Sequence, residues 1–371
     1  MFSVAIALGG DESLKHYAPM AVSPALRGYA REESQLRLPG GEQPKFAVSI
    51  TALAARWCPT GRDLYLQKHS EANPLSWERS VIGKVVDGML VQLYQDGLDV
   101  VETFFEDSVA SGVAADLEQL RSSILERGQG IASTALDEWT FPGTPKRSLE
   151  AFAEEMAPGK GEALAEGTRI ALLKLVEYET NLLVDYASSR RSASADWMAE
   201  IRATLGRLQT GVKLDSKDFP ASVFGVSQGV RPDFVYAVTL VGDLKTGTYH
   251  EFYDTVATSY AIFAEYALSR RINTAAILAV DFDTTAGSVR SHVVRVIHPN
   301  DELRTRWVTQ RDSALKTFEL KQEPPHPTDT SSCSVCPFRT ICWTGGTVGG
   351  TAIRDGKPVV GSVAAAASDQ A

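Results

Sequence analysis

Four cysteines set the strongest constraint on how this chain can fold. Three stand together as Cys333-x2-Cys336-x5-Cys342, and the fourth, Cys58, lies 275 positions before the first of them. Four thiolates make one complete coordination set, so a fold that gathers them brings an early segment against a late one. The start, Met1-Phe-Ser-Val-Ala-Ile-Ala-Leu, is apolar but lacks a basic leading segment and runs into Gly9-Gly10-Asp11-Glu12, a poor export signal. The expected location is therefore the cytoplasm, where disulfides are disfavoured and metal ligation or catalysis is the favoured use of clustered thiols.

The chain has 371 residues, enough for one large domain or two ordinary ones with a sizeable core. At 44% hydrophobic and 22% charged residues it is neither fibrous nor globally disordered. No run approaches about eighteen consecutive apolar residues, so no membrane-spanning helix is expected. A net charge of −9 argues against a protein that coats nucleic acid without specificity, because that binding is driven by Lys and Arg releasing phosphate counterions. Any contact with nucleic acid is confined to a local basic groove.

Residues 1–45 carry no clear period and four prolines, and read as an irregular arm. In the segment 46–97, Ser49 is placed to cap a short helix running towards Arg56-Trp57-Cys58, and a second helix is expected from Asn73-Pro74 to about Tyr94. From 98 to 210 the pattern is helical, with Leu172, Leu175, Val176, Leu183 and Tyr186 on one face and Ser148 as a cap; it reads as an insertion that packs on the core. The core is expected over 211–300. Val223–Val226 and Asp233–Leu240 read as strands, Val241-Gly242 as a turn, and Glu251–Arg271 as a helix. Strands at Ala275–Phe282 and Val289–Ile297 follow. The segment 301–345 comprises a helix over Asp301–Glu319 and the cysteine cluster, and 346–371 reads as a disordered tail.

One set of residues points to chemistry. Arg231-Pro232-Asp233 is followed by Gly242-Asp243-Leu244-Lys245-Thr246-Gly247. If the two segments pair as a hairpin, Asp243 and Lys245 project from one face and Asp233 approaches from the neighbouring strand. Two carboxylates so close repel one another unless a hard divalent cation such as Mg²⁺ or Mn²⁺ joins them. Such an ion activates water and neutralises charge developing on a phosphate. Taken alone, Asp-x-Lys is also a common surface ion pair of small energetic consequence.

Together these segments resemble the PD-(D/E)XK nucleases, RecB-like branch. With Cys58-Pro59 upstream and Cys333-x2-Cys336-Pro337-x4-Cys342 downstream, the resemblance narrows to RecB-like nucleases that carry an iron–sulfur cluster. Arg56-Trp-Cys58-Pro-Thr-Gly-Arg-Asp63 and Gly242-Asp-Leu-Lys-Thr-Gly247 look most like the CRISPR-associated exonucleases that form the fourth Cas family. The resemblance implies an α/β fold: a small mixed sheet flanked by helices, with the helical insertion over it and a four-cysteine clamp. It implies a [4Fe–4S] cluster on Cys58, Cys333, Cys336 and Cys342, where a Cys₄ zinc site is the less fitting alternative. It further implies a Mg²⁺ or Mn²⁺ site on Asp233, Asp243 and the Leu244 backbone, with Lys245 orienting the nucleophile. The family's histidine ligand in Gly-x3-His is replaced here by Asp87 in Gly83-Lys-Val-Val-Asp87. Its Gln-x3-Tyr signature is met only by Tyr260, with Val256 at the glutamine position.

The function so implied is a metal-dependent exonuclease acting on single-stranded DNA ends in CRISPR adaptation, beside the integrase. Arg62 and Arg231 are the first candidates for phosphate contacts. Two alternatives stay open: a RecB-like repair or recombination nuclease, and a catalytically weakened DNA-end-binding subunit. The missing histidine and glutamine motivate the second.

Overall fold

The structure, a computed structural model, describes residues 1–10, 22–29, 36, 38, 48–55, 58–69, 77–112, 114–137, 148–156, 159, 161–214, 216, 220–227, 229–283, 285–320, 322–330, 333, 336, 338–342, 351–354 and 357–363. Among the described residues, eight α-helices precede the sheet: α1 (Phe2–Gly10), α2 (Ile50–Ala55), α3 (Arg62–His69), α4 (Trp77–Ser111), α5 (Leu117–Asp137), α6 (Leu149–Met156), α7 (Gly161–Ala193) and α8 (Trp197–Leu205). Then come β1 (Leu208–Thr210), β2 (Phe234–Tyr236), β3 (Leu240–Thr246), α9 (Phe252–Leu268), β4 (Thr274–Asp283), β5 (Ser288–Ile297), α10 (Asp301–Glu319) and α11 (Arg339–Cys342). Strands β6 (Thr351–Arg354) and β7 (Lys357–Val363) follow.

The sheet runs β1-β2-β3-β4-β5. Only β3 and β4 are parallel, and α9 makes the crossover that such a pair requires. β4 lies inside the sheet between β3 and β5, and its apolar run Ala275–Val280 is buried. On one face, Phe234, Tyr236, Leu240, Leu244, Leu278 and Val280 join a core with α1, α4, α5, α7 and α8. On the other, Val235, Val241, Ile277 and Ala279 pack with α2, α9 and α10. The architecture is a mixed α/β sheet between two helical layers.

Local signals explain the helices that the sequence located well. Ser49 accepts from the Ala52 amide at 3.1 Å and Ser148 from the Ala151 amide at 3.1 Å, capping α2 and α6. Asn300 caps α10 by accepting from the Leu303 amide at 2.9 Å, and Asp301 and Glu302 complement its first turn. In α7, Leu172, Leu175, Val176 and Leu183 are buried on one face.

Elsewhere the structure departs from the expectation. The segment expected as an irregular arm begins with α1, whose Phe2, Val4, Ala5 and Leu8 are buried in the helical core. Helix α4 does not stop near Tyr94 but runs unbroken across residue 98 to Ser111. Gly97 within it is a notch: a Cβ there would lie 2.5 Å from the ring of Phe2. The expected helix start at Asn73-Pro74 lies outside the described residues. Val223–Val226 is not a strand; Ala221–Phe224 forms a 3₁₀ turn, and Val226 makes a single bridge to Val48.

The turn expected at Val241-Gly242 falls earlier. Ala237 and Val238 turn the chain with φ of 50° and 57°, a left-handed conformation that no glycine or asparagine announces. Gly242 lies inside β3 opposite Phe234, whose ring would stand 1.9 Å from a Cβ at that position. The glycine makes room for a cross-strand aromatic ring. The tail expected to be disordered contains the antiparallel pair β6–β7, whose β-branched residues flank Asp355-Gly356.

One buried ionic group ties three elements together. Glu265 of α9, fully buried, pairs with Arg27 and with Arg304 of α10 at 2.8 Å and accepts from the Gly28 amide at 2.8 Å and the Ile272 amide at 3.2 Å. Arg304 also donates to the carbonyls of Leu26 at 2.9 Å and Pro299 at 2.8 Å. Removing one member of such a group strands the others without counter-charge. Glu265→Ala is accordingly expected to lower the unfolding free energy by about 3–5 kcal/mol. Denaturant titration reads this directly, and a loss below about 1 kcal/mol would show the group to be dispensable.

Candidate functional site

The acidic set forms where the short strand β2 begins. Phe234 pairs with Gly242, so the preceding Asp233 stands across from Asp243, and its Oδ2 accepts from the Leu244 amide at 2.5 Å. Asp243 is 2% exposed, and Lys245, two residues on and on the same face, forms an ion pair with it. Asp87 comes from α4. The turn of α4 that carries it lies against the end of β3, and Gly83 permits the approach: a Cβ there would be 2.7 Å from Thr246 Oγ1. Tyr260 of α9 faces the same three carboxylates, whose charges act on its hydroxyl. The structure thus brings together Asp87, Asp233, Asp243, Lys245 and Tyr260. For Leu244, the tie to the site is its amide. Val256, one turn before Tyr260, is wholly buried in the core.

Electrostatics follow from crowding like charges in a dry place. Burial, then the Asp243 charge, push the Asp87 carboxyl up to about 6, against the weaker pull of Lys245 and Lys84. Burial and the charges of Asp243 and Asp87 raise Asp233 well above the usual carboxylate range, and a hydrogen bond to Asp243 adds to this. Burial opposes the Lys245 charge, but Asp243 and Asp233 outweigh it and raise its pKa. The Tyr260 phenol is raised by burial and by all three carboxylates, so it stays protonated and available as a donor.

The four cysteines are free thiols and line one small cavity with Asp63, Leu66, Pro327, Phe338 and Arg339. Cys58 and Cys342 are buried; Cys333 and Cys336 are partly so. Burial pushes the Cys336 thiol up to about 12. It also raises Cys333 and Cys342, with Cys58 adding to both. Arg62 is not available to a phosphate. It is 7% exposed, with Nε donating to Cys342 Sγ at 3.1 Å and Nη1 to the Pro324 carbonyl at 2.5 Å. Arg231 is exposed, two residues before Asp233. Thr60 and His326 also reach the cysteines, Thr60 Oγ1 at 3.1 Å from Cys58 Sγ and His326 Nδ1 at 3.6 Å from Cys342 Sγ. Their only sequence signal was proximity to the motif.

As they stand, no group of three or more His, Cys, Asp or Glu among the described residues has the geometry of a formed metal site. The donor chemistry nevertheless fits. Among the described residues Asp87 Oδ1 is buried without a hydrogen-bond partner, and three carboxylates converge with one ammonium among them, a hard oxygen set suited to Mg²⁺ or Mn²⁺. Four thiols around one cavity are a soft set suited to an iron–sulfur cluster or zinc. Among the described residues, no helix is long and apolar enough to cross a membrane.

A carboxyl whose pKa is raised on folding stabilises the fold at pH values below its ordinary 3.8 and loses that contribution as pH rises through about 6. Without metal, Asp87→Asn should therefore raise stability at pH 7–8 by on the order of 1–2 kcal/mol, and flatten the dependence between pH 4 and 7. Added Mn²⁺ should raise the melting temperature of the wild type and do so far less for this variant. Equal Mn²⁺ shifts in both would remove Asp87 from the site.

Comparison with known proteins bears on the second half of the chain. Residues 161–345, from α7 through the last cysteine, match the family model described as CRISPR-associated exonuclease Csa1. The match includes Asp233, Asp243, Lys245, Tyr260 and the three clustered cysteines, while Cys58 and Asp87 lie before it. No curated protein and no solved structure gives a significant match. Across residues 161–345, half of its length, the chain belongs to the CRISPR-associated exonuclease family Csa1.

Proposed function

We propose that this protein is a metal-dependent DNA exonuclease with a PD-(D/E)XK core, trimming single-stranded DNA ends in CRISPR adaptation beside the integrase. The observation that carries the reading is the convergence of Asp87, Asp233 and Asp243 on Lys245 within a chain half of which matches an exonuclease family. A divalent ion held by Asp233 and Asp243, with Asp87 as a third donor, supplies charge for the scissile phosphate and water of lowered pKa.

The chain's own residues do the rest. Asp233 is oriented by the Leu244 amide at its Oδ2, which keeps the carboxyl beside Asp243. Lys245, held at Asp243, orients the attacking water and offsets charge on the phosphate. Tyr260 keeps its proton and donates to a phosphate oxygen. Arg231, exposed beside Asp233, contacts the DNA backbone. The four cysteines would hold a [4Fe–4S] cluster, tying the Cys58 turn to α11 and the segment that leads into it; its role would be structural.

A second reading, a DNA-end-binding subunit with little hydrolysis, is favoured by Asp87 in place of histidine and by Val256, which sits in the core at the glutamine position. One assay separates the two. With Mn²⁺ and a fluorescent single-stranded oligonucleotide, the wild type should shorten the substrate. Asp243→Asn and Lys245→Met should each lose at least about 100-fold in rate with little change in melting temperature. Chelation of the divalent ion should abolish cleavage. A wild type that retards the oligonucleotide in a gel without shortening it supports the binding subunit, and full activity in either variant overturns the catalytic assignment.

A further inference from the structure

Arg62 opens α3, four residues after Cys58, and a surface helix would present such an arginine to solvent. It is instead 7% exposed and fully committed. Its Nε points at the Cys342 sulfur at 3.1 Å. The other two nitrogens reach the Pro324 carbonyl at 2.5 Å, the Cys342 carbonyl at 3.5 Å and the Glu323 carboxylate at 2.6 Å. The turn that delivers it is tightly seated. Gly61 has φ of 75°, a Cβ there would be 2.9 Å from Thr317 Oγ1, and Thr60 donates to the Pro325 carbonyl at 2.9 Å.

A guanidinium that served only to tie two backbone segments would direct its donors at carbonyls. Here one donor is spent on a sulfur, in a cavity lined by three more sulfurs. Four thiolates and any metal group they hold carry net negative charge, and burying that charge is costly unless a cation and N–H···S bonds offset it. Arg339 lines the same cavity but acts on Cys333, at the partly exposed side. The counter-charge on the buried Cys342 is Arg62.

We infer that Arg62 is a positioning residue of the cysteine site: its fork fixes the Cys342 thiolate and stabilises the negative charge of the bound iron–sulfur group. This rests on the iron–sulfur reading above. Adding an electron makes that group more negative, so a nearby N–H donor and cation favour the reduced form and raise the reduction potential. Outer partners of metal ligands commonly contribute about 10–100-fold to metal affinity.

The test uses full-length protein purified anaerobically with its native metal. Arg62→Met should release iron to a competing chelator about 10–100-fold faster than the wild type, with its far-ultraviolet circular dichroism unchanged. The potential of the bound group should move to more negative values. Arg62→Lys, which keeps the charge and loses the fork, should release iron at an intermediate rate with a potential closer to the wild type, and remains informative if the methionine variant folds poorly. A purely structural role would leave the potential unmoved. Wild-type iron release and potential in both variants would overturn the inference alone. A wild type that carries no iron would overturn the iron–sulfur reading and this inference with it.

Discussion

A short turn, Cys58 to Arg62, holds the early part of the chain against a segment some 280 residues later, and the rest of the arrangement depends on it. Closing so long a loop costs conformational entropy that grows only slowly with length, so a few well-made bonds at the junction suffice to maintain it. Those bonds are the Arg62 fork, the Thr60 hydroxyl and the glycine packed on Thr317 of α10. Because α10 also holds Arg304 in the Glu265 group, the junction is continuous with the buried charges that fasten α9. α9 in turn forms the wall opposite β3 and supplies Tyr260. The cysteine cavity and the acidic site thus belong to one packed frame, though they are chemically separate.

The acidic site is the least self-consistent part of that frame. Three carboxylates and one ammonium are gathered where burial disfavours every charge, and the Asp87 and Asp233 carboxyls respond by holding their protons to higher pH. Such a group contributes little to folding, and its retention makes sense as a place where a divalent ion and a phosphate supply the missing balance. The geometry that permits it is simple. β2 is only three residues long, which leaves the end of β3 open on that side, and Gly83 lets α4 lie close enough for Asp87 to reach it.

Much of this was legible. The 3.6-residue period in α7, the caps of α2 and α6, and the apolar run of β4 follow from local rules, and the spacing of Asp233, Asp243 and Lys245 put them on one face of a hairpin. What misled were a glycine and an arginine. Gly242 looks like a turn and is a notch for Phe234, while the real turn at Ala237-Val238 carries no turn residue. Arg62 looks like a phosphate contact because it is basic and beside a motif, and it is buried against sulfur. The partner of Arg62 is remote in sequence, and that of Gly242 is set by strand pairing rather than by its chain neighbours.

By itself the sequence determined the inventory: which residues can bind hard or soft metals, where α9, α10, β4 and β5 lie, and that residues 58 and 333–342 must meet if their thiols act together. Only the tertiary structure decided the assignments within that inventory. It placed Asp87 with the other carboxylates, gave Arg62 to the cysteines, and buried the first helix. Period and spacing are properties of neighbouring residues along a chain, whereas burial and counter-charge are set by whatever the folded chain brings alongside.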